Sequence, residues 1–188
     1  MSNEDEQLLG PLAALVGVWE GSKGADVAPA APDPKDVARS DYRERMTFES
    51  IGRVDNHEQV LYGLRYSTVA WRLGADAPFH EEVGYWLWDA ANRQVMRCFI
   101  VPRGVSVIAG GTADADAKGF ELSAEVGSET YGICSNRFLD AEFKTIRYSL
   151  KVTVDGDELH YEEDTVLKIR SKDEPFHHTD ANTLRRAE

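Results

Sequence analysis

A regular alternation of apolar and polar residues constrains the fold of this chain more than any other feature. Between residues 146 and 154 every second residue is apolar, with Arg147, Lys151 and Thr153 among the residues between them. The segment Asp155-Gly156-Asp157 then predicts a tight hairpin turn. Beyond it, alternating apolar residues continue towards Ile169. A period of two residues is typical of a β-strand with one buried face, so this region predicts an antiparallel hairpin.

The same alternation recurs along most of the chain, in short segments separated by turn residues. One such segment has four residues on a common face, namely Tyr42, Glu44, Met46 and Phe48. Residues 58–72 are rich in aromatic and β-branched residues, as strands are. About ten segments of this kind are present, and a meander of that size removes its exposed edges by closing on itself. The sequence therefore predicts an all-β fold, a closed antiparallel up-and-down β-barrel of about ten strands.

The start of the first strand is predicted by the segment Leu15-Val16-Gly17-Val18-Trp19-Glu20-Gly21. A proline at a first helical position and a glycine just past the end favour a short helix between Pro11 and Val16. The pattern then changes from helical to alternating. We interpret this segment as a helical plug at one end of the barrel, which Trp19 seals.

One domain accounts for the whole chain, because 188 residues are a common length for a single all-β barrel. We therefore predict a single β-barrel domain over residues 1–188. Residues 1–9 are polar and are predicted to be disordered. Residues 24–38 contain three prolines within six positions, which argues against a central strand or a helix there. We predict a long loop at 24–38, either a mobile cover for the barrel or plain disorder.

The charge of the chain excludes some classes of partner. The formal net charge is −12, whereas binding to nucleic acid or to anionic membranes requires a basic surface. The sequence contains no apolar run long enough to span a membrane, and its acidic start does not resemble a secretory signal. We therefore predict a cytoplasmic protein that binds neither nucleic acid nor membranes.

Barrels of more than about eight strands begin to enclose a cavity, which predicts a small-molecule ligand inside. His80 shares a strand face with Glu82, so it either points at a ligand, oriented by Glu82, or is hydrogen-bonded within the sheet. The same pair could instead perform acid–base chemistry on a bound ligand. His177 and His178 precede the last strand, where at most one of them can reach into the barrel; otherwise both cap a turn.

Several segments, taken together, resemble the nitrobindin family of haem-binding β-barrels, which are similar in shape to fatty-acid-binding proteins. Residues 11–21 resemble the opening PLxxLxGxWxG of that family, and residues 78–85 resemble its PxHxExGY strand. Residues 104–112 and 155–161 resemble two of its hairpins, and residues 175–185 resemble its closing PxxPHxxxxL. The resemblance covers most of the chain.

The resemblance implies a pocket lined at Phe79, His80, Val101 and Ile169, and often a homodimer. In that family a histidine of the closing segment holds ferric haem b, whose iron binds nitric oxide and isomerises peroxynitrite to nitrate. Counting back from Leu184, the position of that histidine falls on Thr179, with His178 one residue earlier. The family's glycine-rich run after Gly21 is also replaced here.

These two departures leave two readings of the barrel. In the first, His178 ligates haem iron and His80 lies on the opposite side of it. In the second, the barrel holds a small hydrophobic or amphipathic ligand without haem. Both departures fall where the family holds its haem, so the sequence favours the second reading, with Thr179 or His178 near the ligand.

Overall fold

The alternating segments form one sheet that closes into a barrel of eleven strands. A computed structural model describes residues 8–30, 33 and 36–187. The strands are β1 (Gly17–Pro29), β2 (Val37–Asn56), β3 (Gln59–Arg72), β4 (His80–Asp89), β5 (Gln94–Val101), β6 (Val105–Thr112), β7 (Gly119–Val126), β8 (Gly132–Ser135), β9 (Phe143–Asp155), β10 (Glu158–Ile169) and β11 (Phe176–Arg186). A 3₁₀ helix spans Gly10–Leu15, and a short α-helix, α1, spans Arg137–Glu142.

The strand order around the barrel is β1-β11-β10-β9-β7-β8-β6-β5-β4-β3-β2, and β2 returns to β1. The prediction of a closed all-β barrel is confirmed, but the barrel has eleven strands and is not purely antiparallel. The four-residue strand β8 lies between β7 and β6 and runs parallel to β7. Four residues are too few to establish a two-residue period, so alternation in the sequence does not identify this strand.

The predicted helical plug is confirmed as the 3₁₀ helix, which buries Pro11, Leu12 and Leu15. The indole Nε1 of Trp19 donates a hydrogen bond to the carbonyl of Leu15 at 2.7 Å. The guanidinium of Arg186, at the end of β11, lies 4.2 Å from the centre of the Trp19 ring. The helix therefore closes one end of the barrel, and the strand ends on either side hold it there.

The loop predicted at residues 24–38 is shorter than expected, because β1 continues to Pro29 and β2 begins at Val37. Register shifts between Gly21 and Gly24 bend β1, and its pairing with β2 then resumes as far as Pro29. Pro29 stands at the end of the ladder, where a missing amide donor costs least. Most of the segment predicted to be disordered, residues 1–7, lies outside the described residues, but Leu9 is fully buried in the core.

Inward-facing residues of all the long strands form the core. Within the described residues, no helix is long and apolar enough to cross a membrane. Inside the barrel the inward residues do not fill the whole space, and a cavity remains that reaches from the 3₁₀ helix towards the opposite end.

Candidate functional site

The cavity has a volume of about 590 Å³ and extends from Leu15, the last residue of the 3₁₀ helix, to Ala30 and Phe79 at the open end. Apolar side chains from most strands form its walls. Of the residues predicted from the sequence, four line this cavity: Phe79, His80, Val101 and His178. A cavity of this size is typical of a site for a small organic ligand.

The two other predicted residues are not among those that line the cavity. Ile169 is buried in a small separate cluster with Leu167 and Phe176. The strand β11 points His178 into the barrel, and so Thr179, its neighbour in an extended chain, faces the opposite side. Neither Ile169 nor Thr179 enters the binding site that we describe.

A buried arginine occupies the middle of the cavity wall. Arg97 on β5 is only 4% exposed, and its guanidinium lies between the carboxylates of Glu82 on β4 and Glu163 on β10. It donates hydrogen bonds to Glu163 at 2.8 Å, to the Tyr66 hydroxyl at 2.7 Å, and also to Glu82 and Tyr148. The two tyrosines in turn donate to Glu82 and Glu163, each at 2.7 Å. Two carboxylates and two hydroxyls therefore satisfy both terminal nitrogens of the guanidinium.

Charge in this network sets the protonation of its acidic and basic members. Burial alone would raise the pKa of Glu82, but Arg97 and His80 lower it to about 2. The Nε2 atom of His80 lies 3.1 Å from Glu82 Oε1. Burial would lower the pKa of His80, yet the hydrogen bond and charge of Glu82 raise it to about 9. At neutral pH His80 is therefore an imidazolium at the cavity surface, and in acid–base chemistry it would act as a proton donor.

A second buried carboxylate lies on β2. Thr68, Tyr161 and Asn182 all donate hydrogen bonds to Glu44, at 2.8, 2.8 and 3.0 Å. Burial raises the pKa of Glu44 even though these bonds oppose the rise. The hydroxyl of Tyr42 contacts that of Tyr161 at 2.6 Å and extends this polar group towards the open end. The cavity thus combines apolar walls with two polar groups of side chains.

At the open end, closure of the barrel brings β1 beside β11. His178 Nε2 lies 3.0 Å from Asp26 Oδ1 and 3.5 Å from Asp180 Oδ2. The buried Asp26 also accepts a hydrogen bond from Ser40 at 3.0 Å and lies 3.6 Å from Arg72. Burial raises the pKa of Asp180 to about 7, although His178 opposes this rise. Burial would likewise raise the pKa of Asp26, but His178, Ser40 and Arg72 lower it.

Within the part of the chain that the structure describes, Asp26, His178 and Asp180 are also a group that could hold a metal ion. Asp26, His178 and Asp180 each offer one ligand atom, and the three atoms lie within 4.8 Å of one another. One imidazole and two carboxylates are ligands that suit a divalent transition metal. The positive charge of Arg72 beside Asp26 opposes such binding.

Sequence reasoning missed the residues that dominate the interior, above all Arg97, Glu163 and Asp26. The sequence pattern indicates that Arg97 is buried, because it lies between Val95 and Phe99 on the inward face of β5. A charged residue at an inward position of a strand must have a buried partner. The pattern indicates the same for Glu44, since it shares the inward face of β2 with Tyr42 and Met46. The partners themselves could not be read, because they lie on other strands.

The sequence model of one protein family, described as "THAP4-like, heme-binding beta-barrel domain", matches residues 8–186. The chain belongs to this family. The match covers nearly the whole chain, and it agrees with the resemblance to nitrobindins that the sequence motifs indicated.

Two bacterial relatives match a shorter part of the chain. Each is named a peroxynitrite isomerase, one from Clavibacter michiganensis subsp. michiganensis (strain NCPPB 382) and one from Clavibacter sepedonicus. They are 38% and 36% identical to this chain over 78 residues, which is 40% of the chain and 33% of each relative. The matched part thus spans about a third of the length of these curated relatives.

Among solved structures, the crystal structure of Rv2717c from M. tuberculosis has a similar fold. The TM-score is 0.71, and the match covers 96% of this chain and 98% of the other at 22% sequence identity. The similarity supports the barrel architecture over the whole chain.

Because the chain belongs to a family of haem-binding barrels, haem is a candidate ligand of this site. Ligation of iron requires a neutral imidazole with a free nitrogen directed at the metal. Burial would lower the pKa of His178, but Asp26 and Asp180 raise it, which favours the imidazolium. Its Nε2 atom also already contacts both carboxylates. The arrangement of these side chains therefore does not fit an iron held by Nε2 of His178.

Proposed function

We propose that this protein binds a small amphipathic molecule inside its β-barrel. One observation carries the proposal: a cavity of about 590 Å³ combines apolar walls with buried, hydrogen-bonded polar side chains. Apolar walls with a few well-placed polar groups are typical of pockets that bind small molecules.

The polar residues along the cavity support a ligand with polar groups at defined places. Arg97, Glu82 and Glu163 lie deep in the wall, whereas Arg72, Arg103 and His178 lie towards the open end. Asp180, which also lines the cavity, is paired with Glu163 on β10 and with Asp26 on β1, so polar residues continue between the two regions. Phe99 and Val101 belong to the apolar part of the wall. A ligand that combines an apolar body with polar groups would match this lining.

The proposal can be tested with Nile red, a neutral dye whose fluorescence increases in apolar surroundings. Ala70 is 3% exposed and lines the cavity, so Ala70→Trp would fill the space a ligand needs. The neighbouring Val69 faces the opposite side of β3, and Val69→Trp is the matched control. We expect the wild type and Val69→Trp to bind the dye with similar affinity, and Ala70→Trp to bind it at least about tenfold more weakly.

Folding of each variant would be checked by circular dichroism before titration. Equal dye binding by Ala70→Trp and Val69→Trp would place the dye outside the barrel and contradict the proposal. Absence of binding to the wild type would contradict it as well. Mass spectrometry of the purified protein under native conditions would then identify a ligand retained from the cell.

Haem binding is the second candidate function, favoured by the family to which the chain belongs and by the imidazole of His178 at the cavity. It requires that His178 leave Asp26. The visible spectrum of the protein mixed with hemin tests it, since an axial histidine gives a Soret band that His178→Ala would remove. Isomerisation of peroxynitrite, the activity for which the two relatives are named, would be assayed only if that band appears.

A homodimer is a further part of the proposal. Four apolar side chains are exposed on the outer face of β4, β5 and β6, namely Val83, Tyr85, Ile100 and Ile108. Val83 is paired with Ile100, and Tyr85 and Ile108 are both paired with Cys98 between them, so the residues are contiguous. Contiguous exposed apolar side chains are typical of protein–protein interfaces, which supports a dimer through this face. Light scattering of the wild type and of Ile100→Glu would show whether the patch joins two copies.

A further inference from the structure

Two carboxylates from adjacent strands converge on one imidazole nitrogen at the open end of the cavity. His178 Nε2 lies 3.0 Å from Asp26 Oδ1 and 3.5 Å from Asp180 Oδ2. The ligand atoms that these three residues offer all lie within 4.8 Å of one another. In a tetrahedral metal site with bonds of about 2.0–2.2 Å, the ligand atoms lie about 3.3–3.6 Å apart. Small rotations of the three side chains would therefore bring all three atoms to bonding distance of one ion.

Residues of two other strands hold Asp26 in the orientation that a metal ligand needs. Its Oδ2 atom accepts a hydrogen bond from Ser40 on β2 at 3.0 Å and lies 3.6 Å from the guanidinium of Arg72 on β3. The other oxygen, Oδ1, is the one that faces His178. Carboxylates that bind metal ions are themselves hydrogen-bonded by a second layer of residues. The two oxygens of the buried Asp26 thus have separate partners, and Oδ1 is directed towards the centre of the group.

The other two side chains are accessible from the cavity. Both His178 and Asp180 line it, and their side chains are 32% and 23% exposed. Within the described residues no group donates a hydrogen bond to the Asp180 carboxylate, which has His178 as its ion-pair partner. An ion held by three side chains keeps at least one position for water or for a polar group of a molecule in the cavity.

The contacts that do not fit haem iron do fit a free divalent ion. Haem iron takes only an axial ligand from the protein, so the two carboxylates beside Nε2 could not bond to it. A free ion has room for all three ligand atoms. On binding, it replaces the proton that Nε2 shares with the carboxylates, and that proton passes to solvent. The double charge of the ion then balances Asp26 and Asp180.

The ligand atoms and the nearby Arg72 indicate which class of ion would bind. Mg²⁺ and Ca²⁺ prefer sites made of oxygen atoms alone, whereas Zn²⁺, Co²⁺ and Ni²⁺ gain from an imidazole nitrogen. The positive charge of Arg72 opposes every cation, but its side chain is 45% exposed and solvent weakens the repulsion. The bond to His178 must outweigh what remains, and this favours a transition metal.

We infer that Asp26, His178 and Asp180 bind a divalent transition-metal ion at the open end of the cavity. Neither the sequence motifs nor the family description assigns such a site to these residues. The inference goes beyond the proposed function, because the ion binds to the side chains of the protein whether or not an organic molecule fills the barrel.

Isothermal titration calorimetry with zinc chloride tests the inference, on protein freed of metal with EDTA and then dialysed. We expect the wild type to bind a single Zn²⁺ ion per chain and to give no binding heat with magnesium chloride. His178→Ala and Asp180→Asn should each bind Zn²⁺ at least about tenfold more weakly. Asp180→Asn keeps the shape of the side chain and breaks no hydrogen bond within the described residues, so it is expected to fold normally.

The neighbouring histidine provides the matched control. His177 Nδ1 lies 2.7 Å from Asp164 Oδ2, and both residues are outside the set that lines the cavity. This pair offers Zn²⁺ one nitrogen and one carboxylate on the outer surface. We expect His177→Ala to bind Zn²⁺ with the affinity of the wild type.

A direct measurement on the wild type does not depend on how well any variant folds. The chain has five histidines, and long-range proton–nitrogen-15 NMR spectra resolve the two nitrogens of each ring. Zn²⁺ should move the Nε2 signal of His178 and leave the signals of His177 in place.

The outcomes separate this inference from the proposed function. If the wild type does not bind Zn²⁺, or if His178→Ala binds it equally well, the three side chains form an ion pair only and the inference is overturned. Loss of binding in His177→Ala but not in His178→Ala would place the ion on the outer surface and overturn it too. Nile red reports on the cavity separately, so Zn²⁺ binding without dye binding would keep the metal site and contradict the proposed function.

Discussion

At the scale of single residues, Arg97 has the largest effect on the interior of this barrel. A buried arginine is stable only when its charge is balanced and its donors are paired. The carboxylates of Glu82 and Glu163 balance the charge of Arg97. Tyr66 donates a hydrogen bond to Glu82 and Tyr148 donates one to Glu163. Removal of the arginine would leave Glu163 without its ion-pair partner and Glu82 paired with His80 alone.

We therefore predict that Arg97→Met destabilises the fold by about 3–5 kcal/mol at pH 7, the usual effect of breaking a buried ion pair. Urea unfolding monitored by tryptophan fluorescence measures this change. The double variant Arg97→Met/Glu82→Gln should recover part of the loss, because it removes one of the uncompensated charges.

Arg93 provides a control for this prediction. It forms an ion pair with Asp114 at 2.8 Å in which both side chains are about 70% exposed, and exposed pairs contribute little. Arg93→Met should change stability by less than about 1 kcal/mol. A similarly small loss of stability in Arg97→Met would show that the charge of Arg97 is not needed for the stability of the fold.

His80 makes stability depend on pH in a defined window. Its pKa is raised from the ordinary 6.5 to about 9, because Glu82 outweighs the opposing effect of burial. A raised pKa means that the His80–Glu82 interaction stabilises the fold fully below pH 6.5 and is lost as the pH rises through about 9. The side chain is 37% exposed, so solvent weakens the interaction.

We expect the stability advantage of the wild type over His80→Gln to shrink between pH 6.5 and pH 9. Urea unfolding of both proteins at several pH values measures it, and the NMR titration of the His80 ring gives the pKa directly. A ring that titrates at or below 6.5 would rule out the charged His80–Glu82 pair.

At the scale of elements, the 3₁₀ helix depends on one glycine for its position. Gly10 has a φ of +55°, a conformation that costs other residues free energy. A Cβ atom at Gly10 would also overlap the indole ring of Trp88 on β4. The close approach of backbone to ring is what lets the helix sit against the end of the barrel.

Gly10→Ala should therefore lower the free energy of unfolding by more than the cost of a positive φ alone. Gly52 is a matched control, because its φ is +69° and a Cβ atom there would meet nothing within 4 Å. We expect Gly52→Ala to cost about 1 kcal/mol and Gly10→Ala to cost about 1–3 kcal/mol more, from overpacking against Trp88. Equal losses in urea unfolding would mean that the helix moves away from Trp88 at little cost.

At the scale of the whole molecule, closure of the sheet creates the site. His178 and Asp26 are 152 positions apart in the chain, and Tyr42 and Tyr161 are 119 apart, yet each pair is in hydrogen-bond contact. These contacts form because β1 joins β11 and because inward residues of distant strands face one cavity. An open sheet with the same strands would separate β1 from β11 and expose the edges of both.

Much of this architecture could be predicted, because its causes are local. Alternation identified the strands, and the Pro11 to Gly17 pattern identified the plug. The parallel strand β8 could not be predicted, since it has four residues and its neighbours are set by the rest of the sheet. For the same reason β1 could not be followed through Pro29, where pairing with β2 outweighs the poor strand propensity of the segment.

Local sequence patterns were sufficient to predict a closed all-β barrel with a sealed end and an interior large enough for a ligand, because a two-residue period and a terminal plug depend on neighbouring residues only. The pairing of the polar residues inside the barrel follows from the tertiary structure. It placed Arg97 between Glu82 and Glu163 and brought His178 into contact with Asp26. Such pairings depend on strand register and closure, which no local pattern specifies.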